Sequence, residues 1–260
     1  DFTTPTDVVT ELEDDDDDPA DGSEPETKKF TAQVTVKRAV TGEDGVILSR
    51  PPIKVEPKAE DVVIMSDYEL TIKKNKHKLR TGDVIQYTEP LVGDLAILGP
   101  GGKKLKTGMR MNVIRKDADT FALAGSKTDL DAGVTVKAML AHPDGKIPPG
   151  SGAGTFTKDD IGSKVEIGYN ENNEFYVDIG GGEILKPQID GDAYEGDTDN
   201  WVTWSVKQEN DADGDPIVKV FRGKDIVVDK KIEKSIRTGP KQIIGCSSTG
   251  NRPWNGGVDD

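Results

Sequence analysis

Tryptophans, two acidic loops, two histidines and one cysteine are the side chains of this 260-residue chain whose types and spacing could do chemistry. Trp201 and Trp204 stand three positions apart, so on a regular strand they face opposite sides of a sheet. The simpler reading is that one fills a core and the other covers a rim. The sharper one is a sugar-stacking platform that uses Trp201 with Tyr194 or Trp254, since an indole offers a flat apolar face beside a polar edge. Asp190, Asp192, Glu195, Asp197 and Asp199 make one acidic loop, and Asp211, Asp213 and Asp215 make a second. Such hard oxygen ligands suit calcium. The second loop fails the EF-hand pattern, because Pro216 occupies the glycine position and Arg222 that of the bidentate glutamate. Solvated turns are therefore the first reading, with calcium at Asp211, Asp213 and Asp215 as the alternative and no other cofactor expected.

His77 and His142 lie far apart in polar segments flanked by Lys or Pro, and neither sits in a nucleophile motif. Cys246, in an apolar stretch, reads as a small buried hydrophobe, and a single cysteine excludes an internal disulfide and a Cys-based zinc site. A glycosidase needs two carboxylates facing each other across a cleft. Carboxylates abound here, but no pair is singled out, so the chain reads as non-enzymatic.

With 34 Lys+Arg against 48 Asp+Glu the net charge is -14. That balance argues against a general nucleic-acid binder, whose phosphate contacts need a basic face. The longest aliphatic runs, Val62–Met65 and Leu95–Leu98, are too short for a membrane span or the apolar core of a signal peptide. The chain begins at Asp1 without a methionine, and its last motif stops abruptly, so it reads as part of a longer or processed product.

The elements that must carry these residues are short. Residues 1–29 include the run Asp14 to Asp18 and little that can be buried after Leu12, which predicts an extended acidic arm. From Phe30 the alternation Phe30, Ala32, Val34, Val36 marks a half-buried strand. The prolines at 51, 52 and 57 leave Ile53–Val55 as at best an edge strand or an extended crossing. Residues 143–154 combine three prolines with four glycines and read as a linker. The glycines there lack the strand-then-helix setting of a phosphate loop. Beyond it, strands are expected at Lys164–Tyr169, Glu174–Ile179, Trp201–Gln208, Ile217–Arg222, Asp225–Val228 and Gln242–Cys246, with Glu209–Pro216 as a hairpin loop. No helix longer than two turns is expected. The organisation predicted is all-β: an arm at 1–29, a β region at 30–142, the linker, and a β-sandwich at 155–260.

Two stretches resemble known families. Gly82, Asp83, Val84 and Tyr87, then Leu105 and Gly108, Val113 and Ile114, and Asp117, Thr120, Phe121, Leu123, Ala124 and Ser126 resemble a small β module of tailed-bacteriophage structural proteins, over residues 82–133. Met111 stands where that module usually has an aromatic, and the segment around Leu95 to Gly102 is longer than usual. The second runs from Asn200 through Trp201-Val-Thr-Trp-Ser-Val, Val218-Lys-Val-Phe-Arg-Gly-Lys and Gln242-Ile-Ile-Gly-Cys to Asn251-Arg-Pro-Trp-Asn-Gly-Gly-Val-Asp-Asp. It is similar to the end of a concanavalin A-like, laminin G or pentraxin-type jelly roll, with Arg222-Gly223 in place of the usual Asn-Gly. That family continues with one more core strand, which a longer chain or another subunit would supply.

These resemblances imply a structural protein of a phage-like virion, as capsid decoration, head fibre or tail-associated protein. Its expected partners are other virion proteins and further copies of itself, with neither nucleic acid nor membrane. The alternative from a different class is an adhesin whose lectin-like domain binds a host surface glycan; a polysaccharide-degrading tail enzyme is a minor third. Subunit contact is expected between the acidic arm, with Asp14, Asp15 and Asp16, and a basic region formed by Lys73, Lys74, Lys76, Lys78 and Arg80 with Lys103, Lys104, Lys106 and Arg110. The bland reading of those lysines is a set of separate solvated turns.

Overall fold

A computed structural model describes residues 30–38, 42–64, 69–90, 97–98, 104–136, 139–140, 153–189, 192–193 and 200–259. It opens with β1 (Phe30–Arg38) and β2 (Gly45–Arg50). There follow β3 (Lys54–Val55), a 3-10 turn at Ala59–Asp61, β4 (Val62–Ile64), β5 (Leu70–Lys73), β6 (Val84–Thr88) and β7 (Ile97–Leu98). Next come β8 (Arg110–Arg115), β9 (Thr120–Ala124), the helix α1 (Lys127–Asp131), β10 (Met139–Leu140) and β11 (Thr155–Lys158). The rest comprises β12 (Val165–Tyr169), β13 (Phe175–Asp178), β14 (Ile184–Leu185), β15 (Gln188–Ile189), β16 (Asp192–Ala193) and β17 (Val202–Asn210). The last strands are β18 (Pro216–Arg222), β19 (Asp225–Lys231), β20 (Ile243–Ile244) and β21 (Gly256–Asp259). The protein is all-β, and none of the helices among the described residues is long and apolar enough to cross a membrane.

The chain forms two compact units: residues 30–51 with 161–259, and residues 52–160. The second is thus an insertion between β2 and β12 of the first. This differs from the expected division at 30–142 and 155–260. Alternation in Phe30–Val36 establishes that β1 is a strand but not which partner it takes. That partner is β17, with Phe30 opposite Gln208 and Val36 opposite Val202. A piece limited to 155–260 would lack β1 and β2, both interior strands of their sheets.

The first unit is a β-sandwich. Its antiparallel sheets have the orders β19-β18-β17-β1-β21 and β14-β13-β12-β2-β20. Inward residues of both, including Phe30, Val34, Leu48, Ile167, Val177, Val206 and Val220, form one core. Trp204 of one sheet stacks on Phe175 of the other, with ring centroids 3.6 Å apart, and its indole N–H donates to the Tyr169 hydroxyl at 3.0 Å. Burial of such a side chain contributes about 1.5–3 kcal/mol or more, and the hydrogen bond removes the cost of an unpaired indole N–H.

The inserted unit is a seven-stranded antiparallel sheet, β3-β11-β6-β8-β9-β5-β4. Its core gathers Leu70, Ile72, Ile85, Tyr87, Leu105, Val113, Phe121, Leu123 and Phe156. Lys54–Val55 is an edge strand, as its flanking prolines dictate. Ala153, at the end of the expected linker, is buried in this core, while 143–152 lie outside the described residues. Gly154 has φ +87, and a Cβ there would strike the Tyr87 ring at 2.5 Å, so only glycine permits the chain to enter β11.

The motif residues at 82–133 fall within this unit and take turn and core roles. Gly82 adopts φ +86 in a turn closed by the Asp83 N–H to Arg80 carbonyl bond at 3.1 Å. Val113 pairs with Leu123, and Met111 is buried where an aromatic was expected. Ser126 caps α1 by accepting the Asp129 N–H at 3.1 Å.

Candidate functional site

The tryptophans are placed by register. On β1, Phe30, Ala32, Val34, Val36 and Arg38 point inward, so Lys37 points out. Gly257 of β21 is opposite Lys37, and Gly256 is opposite Arg38. Trp201, just before β17, lies over the outer side of Gly257, where an added Cβ would come within 2.7 Å of its ring. Trp254 lies against Gly256, where an added Cβ would come within 2.9 Å, and it stacks on Tyr169 at 5.9 Å. Consecutive residues of a strand face opposite sides. Trp201 and Trp254 are therefore separated by β21, and a shared platform of the two is not formed. Tyr194 lies outside the described residues. As expected, Trp204 is wholly buried and Trp201 is 52% exposed.

Trp201 instead belongs to the outer face of the five-stranded sheet. The next row on that face pairs the Thr35 and Thr203 hydroxyls at 2.9 Å. Beyond it, the Ser205 hydroxyl donates to Gln33 Oε1 at 3.1 Å, level with Phe221 and Ile226. The Lys207 ammonium lies 5.3 Å from the Phe221 ring centroid. Phe221 and Ile226 were not expected at a site. The alternation of β18, with Val218 and Val220 inward, was the available signal that Phe221 faces out.

The acidic hairpin is a self-satisfied turn. Asp211 Oδ1 accepts the N–H groups of Asp213 at 2.9 Å and Asp215 at 2.8 Å, and Lys231 pairs with both Asp211 and Asp215. Those backbone donors, with Lys231, hold the Asp211 carboxyl below its usual range. Its oxygens are thus engaged by N–H and ammonium donors rather than turned together toward a cation. Among the described residues, Asp211, Asp213 and Asp215 do not form a metal-holding cluster. The acidic loop 190–199 lies outside the described residues, except for the backbone of Asp192 and Ala193.

Several of the basic residues are held locally. Lys74 Nζ donates to the Glu56 carbonyl at 3.0 Å and lies 3.9 Å from Asp61. Lys76, with φ 49, donates its backbone N–H to Asp119 Oδ1 at 2.9 Å, and the Arg80 N–H donates to Asp83 at 2.8 Å. Lys104 pairs with Glu89 at 3.2 Å, and Arg110 pairs with Asp159 at 3.2 Å. Lys73 is exposed at the end of β5. Asp14, Asp15, Asp16 and Lys103 lie outside the described residues.

His77 is buried despite its polar flanks. Its Nδ1 accepts the Leu79 N–H at 3.0 Å, so its Nε2 carries the proton donated to the Asp117 carbonyl at 3.1 Å. The ring packs edge-on against Phe121 at 4.9 Å and fixes a turn. His142 lies outside the described residues. Cys246 follows β20 in a bend and is only half-buried, which corrects its expected burial on a strand; Ile243–Ile244 is the whole of that strand. The two-residue strand ends before the cysteine, which leaves it in the bend that follows.

Two buried polar clusters were not foreseen. In the sandwich, Arg252, with φ 55, pairs with the buried Glu166 and donates to the Tyr176 hydroxyl at 3.0 Å; Asp44 lies 3.6 Å from the same guanidinium. Burial and the Glu166 charge raise the Tyr176 phenol above its ordinary range. In the inserted unit, Lys158 is enclosed with Asp83 and Asp160. No family model, curated protein or solved structure matches the chain.

Proposed function

We propose that the chain is a non-enzymatic structural protein of a phage-like virion, a capsid decoration, head-fibre or tail-associated protein that binds other virion subunits. The observation that carries this reading is the inserted unit. The residues by which 82–133 resembles the phage module lie in one compact domain, with Gly82 and Asp83 in its turn and Tyr87, Leu105, Phe121 and Leu123 in its core. The polar groups that stood out as catalytic or metal candidates serve turns: His77 and Asp211 both hold backbone N–H groups. Partners then engage sheet edges and extended segments, a mode that needs no chemistry.

A second reading, a glycan-binding adhesin, draws support from the outer face bearing Trp201. Indole and phenyl rings with hydroxyl and amide groups between them suit a sugar chain. Trp201 and the row of Ser205 and Phe221 are four residues apart along β17, about 13 Å, the length of a short oligosaccharide.

Immunogold electron microscopy of particles from the source, with antibody against the whole chain, tests the first reading. Label over the shell supports decoration, and label at the tail tip or fibres favours host recognition. Particles that carry no label sink the virion reading.

A further inference from the structure

A strand that faces a core at alternate positions carries apolar side chains there, and β11 breaks that rule. Its inward residues are Phe156 and Lys158, and Asp160 is the next position of the same alternation. Lys158 is 1% exposed, and Asp83 and Asp160 are buried beside it. The ammonium nitrogen lies 2.5 Å from Asp160 Oδ1 and 3.8 Å from Asp83 Oδ1. The other oxygen of each carboxylate is anchored: Asp83 Oδ2 accepts the Arg80 N–H at 2.8 Å, and Asp160 Oδ2 accepts the Val84 N–H at 3.1 Å. Each carboxylate therefore presents one oxygen to the same amine and is held from behind by backbone.

Three ionised groups removed from water are costly to keep charged. Transfer of one ammonium proton by way of Asp160, 2.5 Å away, to Asp83 leaves a neutral amine beside a neutral carboxylic acid, the pair that condenses to an amide. We propose that Lys158 and Asp83 form an intramolecular isopeptide bond, with Asp160 as the proton carrier. The Lys158 nitrogen attacks Cγ of Asp83 while Asp160, the group nearest the amine, takes the proton that the nitrogen sheds. A C–N bond forms. Asp160 returns the proton to the Asp83 hydroxyl, the C–O bond breaks and one water leaves. Asp160 ends unchanged, and no oxidant or cofactor is consumed.

The bond joins β11 to the turn that opens β6, its neighbour in the seven-stranded sheet. It would give this unit a covalent staple in a chain whose single cysteine cannot supply one. The inference does not depend on the proposed virion role.

The test is the intact mass of the full chain after denaturation. The expected mass is that of the sequence less one water, with a branched peptide joining Lys158 to Asp83 in a proteolytic digest. Asp160→Asn is expected to restore the full sequence mass with an unchanged circular dichroism spectrum. Wild-type chain at full sequence mass overturns the proposal whatever the variants do. So does a missing water that maps elsewhere, such as a succinimide at an Asp-Gly pair. Cross-linking that persists in Asp160→Asn overturns the role given to Asp160.

Discussion

In the sandwich unit the buried ionic cluster sits where the Arg252 guanidinium still reaches water, while Glu166 and Tyr176 lie beneath it. In the inserted unit Lys158, Asp83 and Asp160 are all enclosed. The physics differs accordingly. A half-solvated arginine loses little hydration and keeps its charge, while the buried Glu166 beneath it depends on that guanidinium and on the Tyr176 hydroxyl. An enclosed lysine must be compensated in full, and deletion of one partner leaves uncompensated charge in a dry place. Aromatic contacts pack both cores, with Trp204 on Phe175 between the sandwich sheets and Tyr87 and Phe121 against Phe156 in the insertion.

The largest expected effect tests this contrast directly. Lys158→Ala should cost about 3–5 kcal/mol, because two carboxylates are left buried without a counter-charge. Chemical denaturation with hydrogen exchange checks it, and the lost protection should fall on β6, β8 and β11. A cost like that of a surface pair would erase the distinction between the units.

Alkaline pH challenges both units through their tyrosines. Burial, then the Glu89 charge, pushes the Tyr87 phenol up to about 12, and Tyr176 is raised in the same direction by burial and Glu166. A phenol raised on folding contributes stability that is complete below the unfolded value of 10 and lost as pH climbs toward the folded value. Absorbance titration of tyrosinate should show both rings ionising late, together with unfolding. Early ionisation of Tyr87 in folded protein would mean that the insertion's core admits water.

On the sandwich side, Arg252→Ala should cost less, about 1–3 kcal/mol, because Glu166 is left buried with the Tyr176 hydroxyl but without its counter-charge. Thermal unfolding of the variant measures it, and a loss as large as that of Lys158→Ala would make the clusters equivalent. The smallest change in stability is expected for Trp201→Ala, within about 0.5 kcal/mol, since its ring lies on an outer face. If the adhesin reading holds, the same variant loses retention on immobilised host glycan at unchanged stability. Retention equal to wild type would remove Trp201 from that reading.

Much of the fold was legible in residue order. Period-two alternation located β1, β12, β13, β17, β18 and β19, prolines limited β3 to an edge strand or an extended crossing, and the acidic stretch at 211–215 marked a hairpin. The opposed faces of Trp201 and Trp204 also followed from strand geometry alone. The candidate site was less legible. Tryptophan type and spacing singled out Trp201 but could not show that β21 separates it from Trp254, because that separation arises from pairing between β1 and β21. Lys158, beside two aspartates in the sequence, has no local pattern that marks it as buried; the pairing of β11 with β6 is what encloses it.

The amino-acid order by itself determined the all-β character, the positions of the longer strands and several turns, since these depend on local alternation and on backbone preferences of glycine and proline. Tertiary structure alone decided that residues 30–51 belong with the C-terminal strands, that 52–160 form an insertion, and that Lys158 meets Asp83. Those facts rest on contacts between residues far apart in the chain, and short-range pattern carries no record of which distant partner a strand or a charge will find.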